Sequence, residues 1–207
     1  MKPLETKVYK GYKIHIYYDE NPPNPRTDWD NAGKMVCFHR KHLLGDKTDI
    51  TREELKEIVE RKDVVALPLY LYDHGGLAMR TGKFYEDSGG WDTSMVGYIF
   101  IDYSTMLDKL TVQKEITPEL VTRARDMLEN EVETYNQYLQ GEVYGFIIED
   151  PYGKKDEAEA KYGFFGSDGE KEMQSLWEDL IDRTIDLETI FCAEVHELEV
   201  GVCEIEV

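Results

Sequence analysis

The sequence predicts an α+β fold, a mixed or antiparallel sheet with about three helices, on three observations. Short alternating runs rich in Tyr, Ile and Val recur along the chain. Three other segments carry apolar residues at helical spacing. Strands and helices do not follow the regular alternation that a parallel βαβ sheet requires.

Taken in order, residues 7–19 (KVYKGYKIHIYYD) alternate and read as a strand or hairpin. ENPPNPR follows, with three Pro, and reads as a rigid loop. KMVCFHR reads as a short buried strand. In DITREELKEIVERKD, Thr51 and Glu54 make a capping box, and Leu55, Ile58 and Val59 form one stripe of a helix. VVALPLYLYDHGGLAMRTGKF reads as two strands turning at Gly75-Gly76, and SMVGYIFIDYS as a central strand. Thr117 and Pro118 open the longest helix, with Gly141 beyond its end. Its inward face is Leu120, Ala124, Met127, Leu128, Val132, Tyr135 and Leu139. EVYGFIIED and YGFFG are strands flanking the solvated loop DPYGKKDEAEAK. EKEMQSLWEDLIDRTID is a helix with Met173, Leu176, Trp177, Leu180 and Ile181 inward. The tail FCAEVHELEVGVCEIEV alternates with a phase change at Gly201, which suggests a strand with a bulge or tight turn there. The expected organisation is a main unit over 1–187 and an acidic strand segment over 188–207 in the same domain.

The chain has 207 residues, 41% of them hydrophobic, enough for a full core. Its 43 acidic residues outnumber 24 basic ones, for a net charge of −19. From Glu142 to Val207 there are 19 acidic and 5 basic residues. Such a field repels nucleic acid and anionic membranes, and suits a basic groove on another protein. Solubility is the plain alternative. The N-terminus lacks the apolar stretch of a signal peptide, and no apolar run approaches a membrane span. Cys37, Cys192 and Cys203, an odd number far apart, do not form a disulfide framework, so a reducing cytoplasm is expected.

TDWDNAGKMVCFHRKHLLGD, residues 27–46, gathers metal-ligating side chains. Cys37 and His39, two apart on a predicted strand, would face the same way. Asp30 lies close in sequence, and Asp73-His74 precede a glycine turn that could fold over. A set of Asp30, Cys37, His39, Asp73 and His74 would select a structural zinc ion, since thiolate and imidazole suit zinc. The plain reading makes Cys37 a small buried hydrophobe and the Asp residues turn formers. No CxxC, HExxH, nucleophile elbow or phosphate loop is present.

Two acidic rows carry more content. Glu178, Asp182 and Asp186 recur every fourth residue on a predicted helix, about 6 Å apart per step. Glu197 and Glu199, then Glu204 and Glu206, would each line one side of a strand at about 7 Å. Rows on that scale could stand in for a phosphate backbone before an Arg- and Lys-lined channel, as a DNA mimic does.

The segments NPPNPRTDWDNAGKMVCFHRKHLLGD, LPLYLYDHGGLAM, WDTSMVGYIFID, ENEVETYNQYLQGEVYGFIIE and YGFFG resemble, in this order, a family of uncharacterised proteins of bacteriophages and mobile elements. The resemblance runs from about residue 7 to residue 166; the acidic tail after residue 187 has no counterpart in it. It implies a setting rather than a reaction: small phage-borne proteins that disarm host defences, anti-CRISPR proteins among them, some with a structural metal. It also implies Asp30, Cys37, His39, Asp73, His74 and Asp92 as shared positions. The resulting expectation is a non-enzymatic anti-defence inhibitor in the bacterial host cytoplasm. It would bind a basic surface of a nucleic-acid-targeting complex, a CRISPR effector nuclease of the Cas9-like kind first, and block nucleic-acid loading. The alternative is a zinc-dependent enzyme, a hydrolase, using residues 28–46 with Asp73 and His74. A phage regulatory or assembly factor is the third reading.

Overall fold

The computed structural model of the protein describes residues 2–84, 90–110, 115–155 and 159–203, with the backbone alone at 110, at 188 and from 190 on. The chain divides into two compact units. One joins both ends, residues 1–20 and 143–207; the other is the continuous stretch 21–142. This is not the division at residue 187 that the sequence suggests. The N-terminal hairpin completes its sheet with a strand whose residues pair across 136 positions, as Lys13 does with Glu149, and such pairing leaves no local mark.

In the two-ended unit, β1 (Glu5–Tyr9) and β2 (Tyr12–Tyr18) form a hairpin across Lys10 and Gly11, at φ 47° and 87°. A two-residue turn needs positive φ at both positions to follow the twist of its strands. β2 runs antiparallel to β7 (Val143–Glu149), and β7 to β8 (Lys161–Phe165), in the order β1-β2-β7-β8. Gly145 marks a register shift in β7, where a Cβ would fall 2.1 Å from the Tyr162 ring. One face of the sheet, with Ile14, Ile16, Phe146 and Phe164, receives Met173, Trp177 and Ile181 of α4 (Gly166–Cys203). Trp177 meets Phe146 edge to face, with centroids 5.7 Å apart, a favoured aromatic geometry.

Residues 191–203, expected as a strand, continue α4 instead. Alternation in the tail coexists with a second pattern: Leu180, Leu187, Phe191, Val195, Leu198 and Val202 recur at steps of three, four or seven. That pattern continues the stripe of Met173 and Trp177 in phase, so extending a helix already nucleated costs less than starting a strand. Gly201 therefore lies inside a helix and makes no bulge. Glu204 and Glu206 fall outside the described residues.

In the continuous unit, β3 (Lys34–Cys37), β6 (Thr93–Asp102), β4 (Val64–Asp73) and β5 (Leu77–Arg80) form a second antiparallel sheet in the order β3-β6-β4-β5. β5 pairs only Tyr70–Asp73, so Pro68 lies on a stretch of β4 that β5 does not reach. Gly97 lets β3 approach β6; a Cβ there would meet the Val36 carbonyl oxygen at 1.9 Å. Helix α3 (Pro118–Gln140) covers one face. It lays Leu120, Ala124, Leu128, Val132 and Tyr135 on a core that includes Met35, Leu69, Leu71, Met79 and Ile99. Helix α1 (Arg52–Val59) covers the other, with Leu55 against Val36 and Phe100.

The helix ends form as their sequences predict. The Thr51 amide donates to Glu54 Oε2 at 2.8 Å, and the Glu54 amide to Thr51 Oγ1 at 3.2 Å. Thr117 caps α3, and Gly141 closes it at φ 71°. A fourth helix, α2 (Tyr103–Leu110), was not expected. Asp102, ending β6, starts it by accepting from the Thr105 amide at 2.9 Å. Among the described residues no helix is long and apolar enough to cross a membrane.

Candidate functional site

The Pro-rich loop and the segment after it are organised by a residue the sequence did not single out. The Arg26 side chain is 1% exposed. Its Nε and Nη2 donate to the two oxygens of Asp46 at 2.8 and 2.9 Å, Nη1 to Glu131 Oε2 at 2.8 Å, and Nη2 to the Gly33 carbonyl at 2.8 Å. Glu131 Oε1 accepts from the Ala32 and Gly33 amides, and Asp46 Oδ2 from the Met35 amide. Burial opposes the guanidinium charge, but hydrogen bonds and attraction from Asp46 and then Glu131 outweigh it and raise its pKa. The loop is therefore fixed to β3 and α3 through one satisfied ionic fork.

The five proposed metal ligands do not assemble. Asp30 is exposed and pairs with Lys109 Nζ at 2.6 Å. Cys37 is the last residue of β3 and packs against the α3-side core. Burial, and then Asp46, push its thiol up to about 12, so it sits there as a small neutral hydrophobe. Because β3 ends at Cys37, strand alternation does not extend to His39. His39 Nδ1 accepts from the His42 amide at 3.3 Å, and the two rings stack with centroids 5.1 Å apart. Asp73 is held by Lys41 Nζ at 3.2 Å and lies 3.5 Å from His42 Nε2, whereas His74 lies 3.4 Å from Asp92. Among the described residues no three of His, Cys, Asp and Glu form a group that would hold an ion.

His39 and Asp73 do share a place, a cleft of about 510 Å³. The Phe38 amide donates to Val96 O at 2.7 Å, which brings residues 38–42 beside β6. The Asp73 amide donates to Asp92 O at 2.9 Å, which draws the end of β4 to the start of β6. Arg52, first residue of α1, closes one side with its guanidinium 4.6 Å from the Phe38 ring centroid. Arg40 and Trp91 also line the cleft, and Trp91 is 90% exposed. Sequence reading missed the two arginines, although Arg40 stands next to His39.

The acidic rows come out thinner than expected. Asp182 accepts from Lys10 Nζ at 2.9 Å and from the Tyr9 hydroxyl at 3.3 Å, so the chain's own lysine offsets it. Glu178 accepts from Gln174 at 2.9 Å, and Asp186 is exposed. Glu197 and Glu199 lie on the helical backbone of α4 rather than on a strand. The structure adds Asp168, Glu172 and Asp179 near the meridian of Asp182 and Asp186, with Asp168 bridged to Lys171 and Asp179 to Arg183.

A second polar network, also unforeseen, lies on β1, β2 and β7. His15 is 8% exposed; its Nδ1 is 3.0 Å from Thr6 Oγ1 and its Nε2 3.0 Å from Glu149 Oε2. Lys13 Nζ reaches Glu149 Oε1 at 2.7 Å, and Lys155 Nζ reaches Glu149 Oε2 at 3.3 Å. The Lys13 hydrogen bond first, then those of His15 and Lys155, pull the Glu149 carboxyl down to about 2. The carboxylate serves two lysines and the His15 ring and so ties β2 to β7.

Comparison with protein families, with curated proteins and with solved structures returned no match.

Proposed function

We propose that the protein acts by binding, as a phage-encoded anti-defence inhibitor whose acidic helix docks on a basic groove of a host nucleic-acid-targeting protein. A CRISPR effector nuclease is the first choice of partner. One observation carries the reading. The 38 residues of α4 include 11 acidic and 2 basic ones, a net −9 on a single helix.

At about 1.5 Å per residue that helix is ~57 Å long, so its net charge is spread at roughly one per 6 Å. Duplex DNA carries about one per 1.7 Å. Helix α4 thus offers a polyanion of lower density, suited to attracting and pairing with Lys and Arg rather than to copying a duplex. Lys171, Arg183 and Lys10 already engage Asp168, Asp179 and Asp182, which leaves Glu170, Glu172 and Asp186 as exposed carboxylates with no ion pair among the described residues. Ion pairs of this kind chiefly accelerate and orient association.

The test is a binding and cleavage assay of purified chain against a panel of effector nucleases and restriction enzymes. We expect a complex that blocks nucleic-acid loading and weakens as salt rises, and that Glu172→Lys with Asp186→Lys weakens further by about tenfold. A complex indifferent to both salt and these changes would remove the charge-based reading. Finding no complex at low salt would remove the inhibitor reading.

A further inference from the structure

The cleft between the residues after β3, the start of α1 and the start of β6 has no part in the reading above, and its chemistry is opposite to that of α4. Its lining contributes Arg40, Lys41 and Arg52 against Asp73 and Asp92. Lys41 and Asp73 offset one another at 3.2 Å, which leaves two guanidiniums against the single carboxylate of Asp92, a net positive charge among the described lining residues. Arg52 is oriented by the Phe38 ring, and Arg40 has no ion-pair partner among the described residues. In a chain with 43 acidic residues against 24 basic, two arginines lining one concave surface are out of keeping with the average.

The donors outnumber what a carboxylate can use. Beside the two guanidinium forks stands His39, whose Nδ1 accepts the His42 amide and so leaves Nε2–H as a donor in the neutral ring. The hydroxyl of Ser94 stands in the same lining. A carboxylate has two oxygens; a phosphate ester has three that bear charge, and planar guanidinium forks match it. The Trp91 ring, 90% exposed in the lining, offers a flat apolar surface for a ring attached to that phosphate. A volume of about 510 Å³ is within the range of small-molecule sites.

We infer that this cleft binds a phosphate ester of a planar-ring compound, of the mononucleotide class, with Arg40 and Arg52 on the phosphate and Trp91 against the ring. The inference does not rest on α4 and stands or falls separately from the inhibitor reading.

Calorimetric titration of the full chain with adenosine monophosphate, inorganic phosphate and adenosine tests it. Adenosine monophosphate should bind saturably and roughly tenfold more tightly than either fragment. Arg40→Gln with Arg52→Gln should weaken it by at least about tenfold. Trp91→Ala should bring it to the level of inorganic phosphate, and Trp91→Phe should restore most of the loss, with circular dichroism confirming that each variant is folded. Absence of saturable binding by the unmodified chain would overturn the proposal. So would affinity unmoved by the arginine changes in folded protein, or phosphate alone binding as tightly as the nucleotide.

Discussion

The two units are built alike and charged unlike. Each lays a long helix on a four-stranded antiparallel sheet. Yet residues 1–20 and 143–207 hold 21 acidic and 9 basic side chains, whereas residues 21–142 hold 22 and 15. Net charges of −12 and −7 understate the contrast. The two-ended unit carries 11 of its acids along α4. The continuous unit draws two of its acids, Asp46 and Glu131, inward onto Arg26 and exposes cations in its cleft. Sheet and helix fix neither surface; ion placement does.

The sharpest way to break the comparison is Arg26→Ala. It would leave Asp46 and Glu131 facing each other without their cation, and loss of one partner from a buried ion pair costs about 3–5 kcal/mol. Denaturant unfolding should show that loss, and amide exchange should place it in residues 21–142. The counterpart in the other unit is Trp177→Ala, for which removal of a buried aromatic costs about 3 kcal/mol. Lost protection should appear first in β2, β7 and α4. If both changes raise exchange everywhere alike, the units do not unfold separately.

The smallest effect concerns Glu149. Its carboxyl lies below the ordinary range, at about 2 against 4.5, so its contribution is fully present above the unfolded value and disappears as pH falls through the folded one. Between those values the unmodified chain should lose stability with acid more steeply than Glu149→Gln. Thermal midpoints measured across that window would show equal slopes if Lys13, His15 and Lys155 do not hold the charge.

Legibility in the sequence followed distance along the chain. Thr51 with Glu54, and Thr117 with Pro118 and Gly141, act within a few residues, and their helices form as read. The alternating strands were legible for the same reason. Pairing of β2 with β7, the clasp of Arg26 by Asp46 and Glu131, and the meeting of Thr6, His15 and Glu149 all join distant positions, and none has a local signature. Cys37 and His39 show the reverse error. Their spacing suggested a common face, but the strand stops between them, and one enters the core while the other lines a cleft. In the tail two periodicities competed, and the one in phase with Trp177 prevailed.

The interleaved order of the units bears on how the chain is made. During synthesis the N-terminal hairpin emerges first, but β7, which covers the free edge of β2, follows only after residues 21–142. At ordinary elongation rates of about 5–20 residues per second, that delay is on the order of ten seconds. The inserted unit can fold within it, while β2 waits on the ribosome with its backbone amides and carbonyls unclaimed and open to another nascent strand.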